Sequence, residues 1–132
     1  MNEQAPVTAK EAFEQALPAI LSGDLADLLG RCADDVIFEF PFAPDGRPRR
    51  LEGREQVREY LDAVNSRLKI EGLTSLELHE TTDPAVVIAE MSMNVALSDG
   101  PTREASYVEV VTVCDGQIAR LREYWSPLAL AN

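Results

Sequence analysis

The sequence predicts one α+β domain over residues 1–132, with three helices in its first half and a mostly antiparallel sheet in its second. Three observations predict it. Apolar residues recur at helical spacing from Phe13 to Leu21, and again from Val57 to Leu68. After about Lys69 the period changes to strand-like alternation. Asp115-Gly116 separates two apolar runs, a strong hairpin signal.

Thr8-Ala-Lys-Glu11 is a capping-box pattern that opens the first helix. Phe13, Ala16, Leu17, Ile20 and Leu21 form its inner stripe, Pro18 is expected to kink it, and Gly23 stops it. Asp24 caps a short second helix whose inner face is Leu25, Leu28, Leu29 and Cys32. Asp34-Asp35 lead into a strand, Val36 to Phe40, that ends at Pro41. Ala43–Arg50, rich in Pro, Gly and Arg, reads as a loop. Gly53 precedes a third helix with the stripe Val57, Tyr60, Leu61, Val64 and Leu68. Strands then follow at Thr74–His79, Val86–Leu97, Ala105–Val113 and Ile118–Trp125, with turns at Asp83-Pro84 and Ser98–Pro101. The expected order is ααβαββββ.

Composition excludes several classes. The hydrophobic fraction of 45 % over 132 residues suits a chain that buries one core. With 23 acidic and 12 basic residues the net charge is −11, a field that repels phosphate backbones and anionic membranes. Neither nucleic acid nor membrane is therefore an expected partner. No apolar run reaches the length of a membrane span, and residues 1–10 lack the pattern of a signal peptide, so the expected location is the cytoplasm. Cys32 and Cys114 lack metal-ligand spacing and are accompanied by one His only. They are expected as free thiols, and no metal or cofactor is expected.

Strand parity sorts the two sheet faces, because alternate residues point to opposite sides. On the long strand Val87, Ala89, Met91 and Met93 form the more uniformly apolar face. On the last strand Arg120, Arg122 and Tyr124 oppose Leu121, Glu123 and Trp125, and the second set is expected to face the helices. If the hairpin closes at Asp115-Gly116, Tyr107 and Glu109 on the neighbouring strand are expected to face the same space. Parity thus places one or two carboxylates among aromatic and Met side chains. Burial disfavours an ionised carboxylate, and a second acid nearby raises one of the pair further. Such an acid can donate a proton near neutral pH and take it back.

Three stretches resemble the nuclear transport factor 2-like superfamily, which includes ketosteroid isomerases, SnoaL-like polyketide cyclases and limonene epoxide hydrolase. They are Ala33-Asp-Asp-Val-Ile-Phe-Glu-Phe-Pro41, Leu51-Glu-Gly-Arg-Glu55 and Val113-Cys-Asp-Gly-Gln-Ile-Ala-Arg-Leu-Arg-Glu-Tyr-Trp-Ser126. The resemblance implies a sheet curled into a cone, a mouth covered by the N-terminal helices, and a homodimer. It also implies site positions. The general-base Asp of the isomerases falls on Phe40, their oxyanion-hole Tyr near Ala16, and their protonated Asp on Glu109. The acid/base Asp of SnoaL-like cyclases falls on Glu109 as well, while Met91 or Met93 stands near their accessory His. The Arg and Asp that the epoxide hydrolase carries on its long strand become Met91 and Met93, and its second Asp becomes Glu123.

The reading that follows is a small enzyme without cofactor. It would use Glu109 as acid/base, with Glu123 assisting, in an isomerisation, cyclisation or dehydration of a hydrophobic metabolite. The expected ligand wall is Phe13, Phe38, Phe40, Tyr60, Met91, Met93, Tyr107 and Trp125. The competing reading makes Glu109 a structural acid satisfied by Tyr107, Tyr60 or a loop Arg, and the aromatics ordinary core. At the level of the whole protein, the alternatives are a non-catalytic binding or accessory subunit and, more weakly, an epoxide hydrolase. His79 is expected to be exposed and inert. Arg47, Arg49 and Arg50 are expected in a solvated loop, with closure over an acidic ligand as the alternative.

Overall fold

A computed structural model describes residues 8–98 and 100–126. The elements are α1 (Ala9–Ser22), α2 (Leu25–Gly30), β1 (Cys32–Glu39), β2 (Arg50–Glu52), α3 (Arg54–Arg67), β3 (Leu68–Glu80), β4 (Val86–Leu97), β5 (Thr102–Cys114) and β6 (Gln117–Trp125). One six-stranded sheet runs in the order β2-β1-β6-β5-β4-β3. All neighbours are antiparallel except β1 and β6. The sheet is curved and unclosed, and the three helices lie in the N-terminal half, as the α+β cone requires.

Local chemistry explains the helix ends. Thr8 accepts from the Glu11 amide at 3.1 Å, and the Glu11 carboxylate accepts from the Thr8 amide at 3.0 Å, completing the capping box. Gly23, at φ 75°, terminates α1 in the left-handed conformation. The helix continues through Pro18. Both Pro18 and Glu14, four residues earlier, are exposed, so water can reach the carbonyl that Pro18 leaves without a donor.

Three expectations need correction. Cys32 does not belong to the second helix; it begins β1, fully buried, and its thiol donates back to the Leu28 carbonyl at 3.4 Å. Leu68 begins β3 rather than closing the third helix. The expected order lacks β2, so the observed order is ααββαββββ. A three-residue strand with one buried residue, Leu51, has no periodicity to read. Its conformation comes from pairing Leu51 with Phe38. Of the Ser98–Pro101 turn, Asp99 lies outside the described residues.

The Leu51–Glu55 motif is structural. Gly53 enters α3 at φ 87°, a left-handed value that a side chain would strain. Arg54 donates from Nε and Nη2 to the Cys32 carbonyl at 3.0 and 2.5 Å and pairs with Asp34 at 2.8 Å. This ties the start of α3 to the start of β1.

Bulges curve the sheet. Two register shifts on β3, between Ile70 and Gly72 and between Leu73 and Ser75, keep Leu68, Ile70, Leu73, Leu76 and Leu78 opposite inward residues of β4. A further shift in the β5–β6 hairpin lies beside Ala119. Val113 pairs with Ile118, but Thr112 pairs with Arg120. The core fills the space between the concave face and the helices, where Phe13, Val36, Val57, Val87, Val95 and Val111 are at most 1 % exposed. No helix among the described residues is long and apolar enough to cross a membrane.

Candidate active site

β5 and β6 position the two carboxylates. Tyr107 pairs with Trp125, Glu109 with Glu123 and Val111 with Leu121, so these three pairs share the concave face. Glu109 is 4 % exposed and is the one buried charged residue among those described. Glu123 beside it is half-buried.

Desolvation raises the Glu109 pKa well above the usual carboxylate range. A hydrogen bond with Glu123 and its negative charge add to the rise. Burial also raises Glu123, but its hydrogen bond with Glu109 opposes that rise. Burial and the neighbouring Glu123 thus both favour the protonated form of Glu109 over its carboxylate. Glu109 Oε1 is buried without a hydrogen-bond partner among the described residues.

The pair lies on the wall of a cavity of about 250 Å³ that is partly open to solvent. Phe13 of α1 and Phe38 and Phe40 of β1 line it, with Met91 and Met93 of β4 and Leu121 of β6. Tyr60 of α3 lines it with Tyr107 and Trp125, and its ring stacks on Phe40 with centroids 4.9 Å apart. All ten residues singled out from the sequence thus border one space. Burial raises both tyrosines, and the charge of Glu123 raises them further. They remain neutral hydroxyls beside the acid pair.

Sequence reasoning missed the cavity's outer part. Arg47, of the loop after β1, and Asn65 and Arg67, in the last turns of α3, also line it. All three are exposed, as is Gly23, so they mark the mouth, while Glu109 marks the floor. Arg47 was visible as one of three loop arginines, expected in solvent, with closure over an acidic ligand as the alternative; of the three, Arg47 alone lines the cavity. Arg67 gave one signal, its place directly before the apolar Leu68.

The other candidates lie elsewhere. His79 is half-buried rather than fully exposed, and its Nε2 lies 2.5 Å from Glu90 Oε1. Glu77 completes that group, whose ligand atoms fall within 4.8 Å of one another. None of its members lines the cavity. Arg49 and Arg50 pair with Asp45, Glu39 and Glu52 at 2.7–3.5 Å.

A curved sheet with helices on its concave side and an acid pair at the floor of an apolar cavity defines an α+β domain built around a pocket of small-molecule size. The chain belongs to the SnoaL-like domain family, whose model matches residues 13–121. It is 31% identical to the PhzA/B-like protein PA3332 of Pseudomonas aeruginosa over 92% of this chain and 86% of that one. It is 28% identical to a crystal structure of a provisionally named isomerase from Bacillus subtilis, with a TM-score of 0.86 over 92% of this chain and 88% of the other. A provisionally named polyketide cyclase from Pseudomonas putida shares the fold, with a TM-score of 0.80 at 19% identity over 94% and 96% of the two chains.

Proposed function

We propose that this protein is a cofactor-independent enzyme that moves a proton on a hydrophobic, carbonyl-bearing metabolite, as an isomerase, cyclase or dehydratase does. The observation that carries this reading is the opposed Glu109–Glu123 pair at the floor of an apolar cavity, with Glu109 buried and its Oε1 unpartnered among the described residues. Glu109 would donate its proton to the carbonyl oxygen while the Glu123 carboxylate takes one from the adjacent carbon, giving an enol. Return of a proton at another carbon, and of the Glu109 proton from oxygen, gives the isomer and restores the pair. Tyr107 and Trp125 would hold the ligand beside the pair, with Phe13, Phe38, Phe40, Tyr60, Met91 and Met93 around its body.

The relative named as an isomerase agrees with this chemistry. A binding or accessory role is the second reading. It is favoured by Ala16 and Phe40, at 0 % and 2 % exposure, which stand where ketosteroid isomerases carry a Tyr and a base.

The two readings part in a titration of ¹³C-labelled Glu side chains by NMR. The enzymatic reading expects Glu109 to titrate far above the other glutamates, and Glu109→Gln, which leaves the burial of Glu123 in place, to keep Glu123 above the ordinary range. A Glu109 that titrates with the surface glutamates would sink it.

A homodimer is part of the proposal. Its support is the convex face of the sheet, where Ile88 pairs with Val110 and Val108 with Tyr124. There Ser92 and Ser106 hydrogen bond at 2.8 Å, and Phe42, 59 % exposed, leans edge-on against Tyr124.

A further inference from the structure

Of the twelve basic residues in this chain, six arginines are ion-paired among the described residues. Arg31, Arg49, Arg50, Arg54, Arg58 and Arg120 each have a carboxylate oxygen within 3.5 Å. Arg47 and Arg67 have no ion pair or side-chain hydrogen bond among the described residues, and both line the cavity. They come from different elements, a loop and a helix end, yet reach the same space. Tyr60 lines the same cavity and feels both guanidiniums as well as Glu123. The cavity is therefore polarised along its length. Its floor carries a proton donor, its middle is aromatic and aliphatic, and its mouth holds two free positive charges in an otherwise anionic molecule.

Arg47 and Arg67 thus face one cavity without a counter-charge among the described residues, although a chain of net charge −11 offers many acids. A planar guanidinium matches the two oxygens of a carboxylate in bidentate geometry.

We infer that the ligand is an apolar carboxylic acid, bound as its anion by Arg47 and Arg67 at the mouth while a second oxygen function reaches Glu109 at the floor. This rests on the cavity being the ligand site, as proposed above, and adds the charge of the substrate. A cavity of about 250 Å³ has room for on the order of 20 non-hydrogen atoms, enough for a bicyclic or medium-chain acid. The local positive pair also gives such an anion an entry point on a surface that repels it elsewhere.

Two fluorescent probes with the same aromatic body test the inference: 1-anilinonaphthalene-8-sulfonate, an anion, and N-phenyl-1-naphthylamine, which is neutral. Each is titrated against the wild type and against R47Q, R67Q and R47K. Trp125, the single Trp of the chain and part of the cavity wall, reports entry by quenching. The anion is expected to bind more tightly than the neutral probe. R47Q and R67Q should each weaken it roughly three- to tenfold, leave the neutral probe within about twofold, and flatten its salt dependence. R47K, which keeps the charge, should retain most of the anion's affinity, and decanoate should displace the anion where 1-decanol at equal concentration does not. Neutral probe bound with the anion excluded, or both weakened alike by R47Q and R67Q, overturns the charge assignment and leaves the cavity as a binding site. Binding of neither probe overturns both. The proton chemistry of Glu109 enters neither arm, so its failure would show only in the glutamate titration.

Discussion

Glu109 and Glu123 are direct cross-strand partners on the concave face of the β5–β6 ladder, and they hydrogen bond to each other. Two carboxylates side by side repel when both are ionised, and like charges directly opposite each other destabilise a sheet. The native structure therefore favours protonation of Glu109, and through that shift its stability depends on pH.

The sign follows from linkage. The folded-state pKa of Glu109 is raised above its unfolded value, so the folded chain binds more protons than the unfolded chain between the two values. The contribution is fully present below the unfolded pKa and is lost as pH rises through the folded one. Glu109→Gln removes this titration. The variant is expected to melt higher than the wild type at pH 8 by roughly 3–6 °C, about 1 kcal/mol, and the gap should shrink toward pH 4. Melting followed by circular dichroism across pH checks it. A gap that does not change with pH would mean that Glu109 titrates normally.

How the pair comes to be opposed also shows what was legible beforehand. A two-residue hairpin at Asp115-Gly116 pairs Cys114 with Gln117 and Val113 with Ile118. Continued without interruption, that register sets Glu109 opposite Arg122, not Glu123. The extra residue at Ala119 shifts the ladder by one and exchanges the two faces of β6. A trace was present in the sequence, since Ile118 and Leu121 are both buried but three apart, a spacing that no regular strand gives two residues on one face. The inward face of β6 was readable from its own alternation, and the bulge makes that face and the hairpin compatible. The long strands and α1 were readable because each carries many residues of one period. β2 was not, because it has one buried residue. Of the mouth arginines, Arg47 was legible only as an alternative shared with Arg49 and Arg50, and Arg67 was not legible, because what sets the pair apart is the partners they lack in three dimensions.

Phe13 belongs at once to the core and to the cavity wall. At 1 % exposure its removal leaves a void that the neighbouring Ala12, Ala16 and Ala19 of α1 are too small to fill. Phe13→Ala is expected to destabilise the protein by about 3–5 kcal/mol in urea unfolding. Phe13→Leu, which retains most of the volume, should cost less than half of that. Equal losses for the two would place the defect in something other than volume.

The proposed dimer gives a prediction on the convex face. Val108 lies at its centre, opposite Glu90 on one side and Tyr124 on the other. Val108→Glu sets a like charge beside Glu90 and would place the same charge on both copies in an isologous contact. Sedimentation velocity is expected to show a dimer for the wild type and a monomer for the variant, with the far-ultraviolet spectrum unchanged. A wild type that sediments as a monomer at high micromolar concentration removes the dimer from the proposal.

The two thiols should differ sharply in reactivity. Cys114 is exposed at the end of β5, whereas Cys32 is fully buried at the start of β1. Burial pushes the Cys32 thiol up to about 11, with the Arg54 guanidinium pulling slightly the other way. The thiolate is the reactive species, so Cys32 is protected twice, by its low ionised fraction and by lack of access. At pH 8 the folded protein is expected to release one equivalent of thionitrobenzoate from Ellman's reagent quickly, and a second only when denaturant opens the core. The slow reaction then reports on the opening of the α2–β1 junction, where the Cys32 carbonyl also accepts from Arg54 and from Gln117. Arg54→Ala removes one of these ties. It should speed the second release in dilute denaturant at least several-fold, while the first is unchanged. Two fast equivalents in the native protein would contradict the burial of Cys32, and an unaltered second rate in Arg54→Ala would show that Arg54 does not hold that junction closed.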